Sequence, residues 1–367
     1  MTAWRWVIGP WDAGPERELT YLYGRQLQFT INAPAQAMFN LPGQAPECAE
    51  LAEGETDLWV WSDEDLMYRG RIIQTTDSIS SNVHTVSVSS VDYRGVLGRR
   101  ILVEGDAGNV PKPPVGNPGD EGYVPPQVGY SMATYAAIAW DLVYKTQIKP
   151  GGNLRIIQGT WVPDPAQPPS GYRIRTYDLG LEVGKAVDDL SDDATFDYEI
   201  RPNPNDPSFL GLFMNLWAPG KSRDQDLILD LGGTVTALTR SFSISNWANV
   251  TRVSGSADRT TGVNSYTARP EGRWESQIGY PDVVLQSTVN DRSVAAHNKL
   301  LERYSTINLE LRPGVVNSLS DLDVGDTCLV VADRGRVKFQ ETHTVADLAF
   351  GISDEGVAAV RVGVIES

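Results

Sequence analysis

Residue types able to do covalent or acid–base chemistry are sparse. Three histidines, His84, His297 and His343, and two cysteines, Cys48 and Cys328, are spread over 367 residues. A nucleophilic site needs a Ser, Cys or Thr beside a base, although the members need not be neighbours in sequence. No histidine here has such a partner, or a carboxylate, at a recognisable catalytic spacing. His84 shares the strand parity of Val86 and Val88, and His343 that of Phe339 and Val345. His297 falls on a helical apolar face with Val294 and Leu301. These positions predict satisfied, partly buried imidazoles. Two distant cysteines make neither a disulfide framework nor a structural zinc site, which takes four close ligands. Both are expected to be neutral thiols.

Three motifs invite sharper readings. Ala218-Pro-Gly220-Lys221-Ser222 has the end of a phosphate-binding loop, but Asn215 stands where the first glycine must be, and strands flank it. A polar hairpin turn is expected. Asp321, Asp323 and Asp326 begin like a calcium loop. An EF-hand needs a bidentate Glu at its twelfth position, and Ala332 stands there, so a plain turn is the reading. Asp188, Asp189, Asp192 and Asp193 crowd the end of a predicted helix. Solvated surface is expected, with contact to a basic partner as the alternative. The enzyme alternative of most substance is glycoside hydrolysis, which takes two carboxylates flanking a sugar. Forty-seven acids make some such pair inevitable. Trp59 and Trp61 share one strand face and would stack on a sugar, a barrel wall or an interface. The residues thus assign no catalytic, cofactor-binding or metal site.

Charge and composition narrow the class. Lys plus Arg number 31 and the net charge is −16, without a basic stripe, so sequence-specific nucleic-acid binding is disfavoured. An acidic wall would suit a channel through which DNA slides. The N-terminus lacks a basic region followed by an apolar core, and no apolar run is long enough to span a bilayer. Synthesis in a reducing cytoplasm is the expectation.

Strand signals dominate the elements. Leu19–Ile31, Leu58–Ser62, Leu66–Thr75 and His84–Val91 read as strands, with Asp63-Glu64-Asp65 as a hairpin turn. Glu104–Tyr130 holds six prolines and six glycines and reads as a partner-contacting or mobile arm. Helical spacing predicts a helix from Ser131, with Tyr135, Ile138, Ala139 and Leu142 on one face, and a second over Leu181–Ser191. A Pro-rich loop over Gly159–Gly171 separates them. Strands are expected at Phe196–Arg201, Phe209–Trp217, Leu227–Leu231, Asn249–Gly255 and Val283–Val289. A third helix fits Asp291–Tyr304, capped by Asp291. The chain ends in strands over Ile307–Leu311, Thr327–Val331, Lys338–Val345 and Val357–Ile365.

Two distant segments match. Leu51-Ala-Glu-Gly54-Glu-Thr56-Asp-Leu58-Trp-Val60 and Leu322-Asp-Val-Gly325-Asp-Thr327-Cys-Leu329-Val-Val331 both fit L-x-x-G-[ED]-T-x-L-x-V. In each, a Gly–acid turn launches an alternating strand. This predicts a β-rich α+β chain. Two related antiparallel β-barrel domains lie at the ends, over 1–103 and 306–367. A mixed α/β region over 104–305 separates them, and part of 226–290 is expected to add strands to the last barrel. Three copies of such a chain place six similar units round one axis, and closed cyclic symmetry is the usual form of homo-oligomers.

The Tyr68-Arg-Gly70-Arg-Ile72 strand, the run Ser90-Val-Asp92-Tyr-Arg-Gly-Val-Leu97-Gly-Arg-Arg-Ile101, the late helix and the Asp321–Asp326 entry to the last strands give the chain a resemblance. It resembles the tail-tip (baseplate) hub proteins of phages, including minor tail proteins of long-tailed phages of actinobacteria. The resemblance implies a homotrimer at the tail tip of the virion, contacting the distal tail ring, the tape-measure protein and a central fibre or other minor tail proteins. It implies no enzyme activity and no cofactor. A hexameric distal tail ring protein, or a glycan-binding or glycoside-hydrolysing protein, is the alternative.

Overall fold

The structure, a computed structural model, describes residues 3–80, 83–102, 110–112, 127–161, 173–194, 196–217, 224–242, 247–255, 260–268, 270, 272–280, 286–301 and 305–366. It is strongly β-rich, with a large curled antiparallel sheet. The first strands are β1 (Trp4–Pro10), β2 (Arg17–Glu18), β3 (Tyr23–Thr30), β4 (Gln36–Pro42), β5 (Thr56–Ser62), β6 (Asp65–Ile79) and β7 (His84–Asp92). Asp63, at φ 53°, makes the tight β5–β6 turn. Helix α1 (Tyr93–Leu97) follows at once, its first turn capped by Asp92, whose Oδ1 accepts from Gly95 N at 3.1 Å.

The middle of the chain holds β8 (Val110–Lys112), β9 (Gln127–Ala133), α2 (Tyr135–Gln147), β10 (Ile156–Trp161), β11 (Arg173–Asp178), α3 (Val183–Ala194), β12 (Asp197–Pro202) and β13 (Leu212–Trp217). Its strands form two small sheets, β11-β9-β8 and β10-β13-β12. Ile138, Leu142, Val183, Val187 and Leu190 from the helices bury with Tyr198, Met214 and Leu216 in one apolar cluster. Two expectations change here. Ser131 belongs to β9, where pairing with β11 holds the backbone extended, and Thr134 caps α2 instead, accepting from Ala137 N. Val110–Lys112 and Gln127–Tyr130, both within the expected arm, are strands paired to one another in this chain. The rest of Glu104–Tyr130 lies outside the described residues, as does 162–171 of the second Pro-rich loop, whose first residues Gly159–Trp161 belong to β10.

The last part comprises β14 (Asp224–Asp230), β15 (Val235–Phe242), β16 (Val250–Ser254), β17 (Val263–Tyr266), β18 (Glu275–Gly279), α4 (Gln286–Leu301), β19 (Ser305–Leu311), β20 (Thr327–Arg334), β21 (Val337–Ile352) and β22 (Ala358–Glu366). The expected strand over Val283–Val289 is overturned from Gln286 onward. Val289, Ser293, Ala296 and His297 are buried at helical spacing, and that face outweighs the local β-branched signal. Asp291 therefore lies inside α4 and does not cap it.

The described residues divide into two compact units. One comprises Met1–Ala237 with Leu309–Gly363, and the other Leu238–Asn308 with Val364–Glu366. The second holds the sheet β17-β16-β18 and α4, packed through Val253, Val289 and Ala296.

The large sheet repeats itself. Its first part runs β1-β5-β6-β7-β4-β3, and its second runs β14-β20-β21-β22-β19-β15. Numbered by appearance in the chain, both paths read first, fourth, fifth, sixth, third, second. The matched decapeptides sit at the same place in each. Gly54 (φ 80°) and Gly325 (φ 85°) turn the chain through the left-handed region, and Thr56 and Thr327 open β5 and β20. The middle strand is long both times, β6 and β21. One difference stands: β1 runs antiparallel to β5, whereas β14 runs parallel to β20. The two paths join within β21. Its first half, Val337–Thr344, pairs with β20, and its second half, Asp347–Ile352, pairs with β3. At that seam Phe350 is fully buried, its ring 5.6 Å from Trp4 and 6.4 Å from Phe29.

Candidate functional site

The densest chemistry lies where β5, β6 and α1 meet. Asp57 is completely buried. Its Oδ2 accepts from Arg69 Nε at 3.0 Å, Arg69 Nη2 at 2.8 Å and the Tyr93 hydroxyl at 2.6 Å, and its Oδ1 accepts from Arg71 Nε at 2.6 Å. Arg69 also donates to the carbonyls of Trp11 and Leu210, and Arg71 to that of Gly54. Burial, with Asp57 adding to it, pushes the Tyr93 phenol above its ordinary range. With both carboxylate oxygens taken, this cluster has no base to offer a substrate. It fastens two strands, the first helix and three loops.

A second cluster centres on Arg94, which donates to Tyr198 O at 3.0 Å and to Asp188 Oδ1 at 2.6 Å while its guanidinium lies 3.8 Å from the Tyr198 ring centroid. Asp188 keeps half of its side chain in solvent, as expected, and also neutralises a buried arginine. The side chains of Asp192 and Asp193 lie outside the described ones. Nearby, Arg201 donates to Glu199 at 2.8 Å and to Asp323 at 2.7 Å, tying β12 to the turn that enters β20. Between the clusters a cleft of about 20 Å³, lined by Phe29, Asn32, Asp92, Arg94 and Arg201, has room for one water.

Asp92, which lines that cleft, is held up to about 6, chiefly by burial, against the hydrogen bond from Gly95 and the charges of Arg94 and Arg201. A carboxyl raised in the folded state stabilises fully below its unfolded value of 3.8, and that advantage is lost as pH rises through about 6. Asp92→Asn keeps the cap and removes the charge. Thermal melts should show it near wild type at pH 3 and more stable by up to about 3 kcal/mol at pH 8, with about half of that gain already present at pH 5. Equal effects at pH 3 and pH 8 would contradict this.

The remaining candidates separate. Asp321 Oδ2 accepts from Asn317 N and Ser318 N, and Asp326 Oδ2 from Asp323 N, so these acids cap turns and do not converge. Among the described residues no three His, Cys, Asp or Glu gather as a metal cluster. The loop Ala218–Ser222 lies outside the described residues. His84 Nε2 is 2.5 Å from Asp77 Oδ1. His297 bridges Thr267 at 2.8 Å and Thr251 at 3.1 Å, and burial lowers its pKa. His343 is fully buried beside Phe339, opposite Cys328 in the β20–β21 ladder. Burial raises the Cys328 thiol to about 12, so this cross-strand pair, invisible in sequence spacing, is no nucleophile. Trp59 and Trp61 are buried against Val7, Phe209 and Leu210, with Trp59 Nε1 donating to Phe209 O at 2.8 Å, so neither ring face is open to a sugar.

No family model matches this chain, and no curated protein matches it. Solved structures do. Over 100% of the chain it superposes on 97% of a tail protein from Neisseria meningitidis MC58, with a TM-score of 0.64 at 10% identity. A 43 kDa tail protein of prophage MuSo2 from Shewanella oneidensis matches with a TM-score of 0.63 at 13% identity, over 99% of this chain and 98% of that one. The chain shares the fold of these tail proteins. This tail-protein fold extends to an E. coli type VI secretion component described as similar to T4 phage tail proteins. That match has a TM-score of 0.52 at 10% identity and covers 95% of this chain and 74% of that one.

What the sequence did not expose was the ionic bracing. Its signal is present in retrospect. Asp57 precedes the apolar run Leu58–Trp61, and Arg69 and Arg71 interrupt a strand whose neighbours are buried.

Proposed function

We propose that the chain is a structural component of a phage tail, the trimeric hub at its distal tip. One observation carries this reading. A single chain carries the same six-strand order twice, joined within one sheet by the pairing of β21 with β3, in a fold shared over its whole length with tail proteins. Three such chains present six similar units in a threefold molecule. That is the arrangement needed between a sixfold tube and threefold tip components. The acidic balance suits a channel that DNA passes without adhering. The distal tail ring, the tape-measure protein and a central fibre are the partners in this reading, the virion tail tip is its location, and an actinobacterial long-tailed phage is its source. The function is geometric and no catalysis belongs to it. The glycan alternative loses its aromatic platform, since Trp59 and Trp61 are buried.

Native mass spectrometry of the purified chain tests the proposal. A trimer is the expected species. A hexamer would transfer the chain to the distal ring role, and a stable monomer would remove both.

A further inference from the structure

The second compact unit departs from the rest of the chain in charge. Residues 238–308 hold eight Lys or Arg against six Asp or Glu, in a protein whose net charge is −16. Its sheet β17-β16-β18 has two unlike faces. On one, Thr251 is hydrogen-bonded to His297, Ser265 to Ser293, and Val253 packs on Val289, all against α4. Side chains alternate along a strand, so Val250, Arg252, Asn264, Tyr266, Glu275 and Gln277 stand on the other face.

Pairing sets those residues in two rows. Arg252 on the central strand β16 lies between Asn264 of β17 and Gln277 of β18, and Val250 lies between Tyr266 and Glu275. All but Val250 are exposed, Tyr266 at 64%. With Arg273 they border a cleft of about 530 Å³, inside the roughly 300–1,000 Å³ of small-ligand sites. Arg273 donates to Glu275, so those two charges offset each other. Among the described residues, the side chains of Arg252, Asn264, Gln277 and Tyr266 have no hydrogen-bond partner. A Cβ at Gly262 would stand 3.4 Å from Arg252 Nε, so the glycine keeps that side of the guanidinium open.

These groups specify a ligand chemistry. A guanidinium is a planar fork that takes a carboxylate through two hydrogen bonds. Each amide beside it offers both donors and an acceptor, as a row of hydroxyls requires. Tyr266 presents an apolar ring face with a polar tip. One unpaired positive charge matches one carboxylate. A nucleic acid takes a track of cations and several stacking rings, and this face has one of each among the described residues. A peptide that adds to a sheet bonds to its edge, whereas these groups stand on its face. We propose that the open face of β17-β16-β18 binds a carboxylate-bearing saccharide. Arg252 holds the carboxylate, Asn264 and Gln277 hold the hydroxyls, and Tyr266 covers the sugar ring. The site goes beyond the hub reading and does not depend on it. On a tail, the source of the ligand would be an acidic polysaccharide of the surface that the tail meets.

Isothermal titration of the full chain with digalacturonate tests the proposal, with maltose as a neutral disaccharide. Digalacturonate should bind, and maltose at least about tenfold more weakly. Arg252→Gln should raise the Kd for digalacturonate at least about tenfold, the loss of a hydrogen bond to a charged group, and leave maltose unchanged. Arg252→Lys keeps the charge without the fork and should fall between. Tyr266→Ala should weaken both sugars. Val294→Ala, on the exposed side of α4, should change neither. The altered side chains are exposed, so the thermal melts of all four variants should match wild type. A wild type that does not bind digalacturonate overturns the proposal, as does equal affinity for maltose or an Arg252→Gln variant that binds like wild type. Oligothymidylate or polyglutamate that displaces digalacturonate more tightly than it binds would overturn the saccharide class. None of these outcomes bears on the trimer, which the native mass decides.

Discussion

Asp57→Ala should destabilise the protein by about 3–5 kcal/mol, measured as a shift of the denaturant midpoint at unchanged slope. The expectation follows from what the substitution leaves behind. Arg69, almost wholly buried, and Arg71, mostly buried, lose the carboxylate that both address, and the Tyr93 hydroxyl loses its acceptor. A buried ion cluster adds little net stability compared with apolar residues of the same shape, but breaking it by one member strands uncompensated charge. A second arm separates these contributions. Combining Asp57→Leu with Arg69→Met and Arg71→Met removes every stranded charge and should recover most of the loss. If Asp57→Ala costs under about 1 kcal/mol, the cluster is not the brace described here.

Phe350→Ala should cost a similar amount, about 3–5 kcal/mol, the range for deleting a large buried ring. The place of this ring makes the substitution informative. Phe350 sits opposite Leu27 in the β21–β3 register, where the two repeats meet, and it touches rings from β1 and β3. Its loss opens a cavity at the seam. Phe350→Leu fills most of the volume and should cost much less. Hydrogen exchange should locate the damage: amides of Asp347–Ile352 and Arg25–Thr30 should lose protection before those of β20. Uniform loss throughout the large sheet would argue against a seam.

Several features were legible in the sequence for definite reasons. Strands β3, β4, β7 and β20 have largely period-two burial, and the Gly–acid turns need a backbone region that glycine enters freely. The decapeptide match was therefore a local signal of a global repeat, though it covers only one of the six strand positions. The helix face Tyr135–Leu142 was read from spacing, but its start was not, because Ser131 is held in β9 by the distant β11. The misreading at Gln286–Val289 has the same origin: β-branched residues suggest a strand until the buried face of a helix claims them. The ionic braces and the Cys328–His343 juxtaposition were hidden for a further reason. Each joins residues through strand pairing, which sequence spacing does not encode.

One connection in the repeat bears on how such a chain diversifies. Between β3 and β4 the chain turns within 31–35, yet at the matching place, between β15 and β19, it leaves to build a second compact unit before returning. The entropy of closing a loop grows only logarithmically with its length, at about 0.6 kcal/mol per doubling. A hairpin tip is thus a docking port in the gene, where a module can be lengthened, traded or rebuilt at small thermodynamic cost while the strands on either side keep their registers. Selection acting on what a tail meets can work on that insertion and leave the scaffold's symmetry untouched.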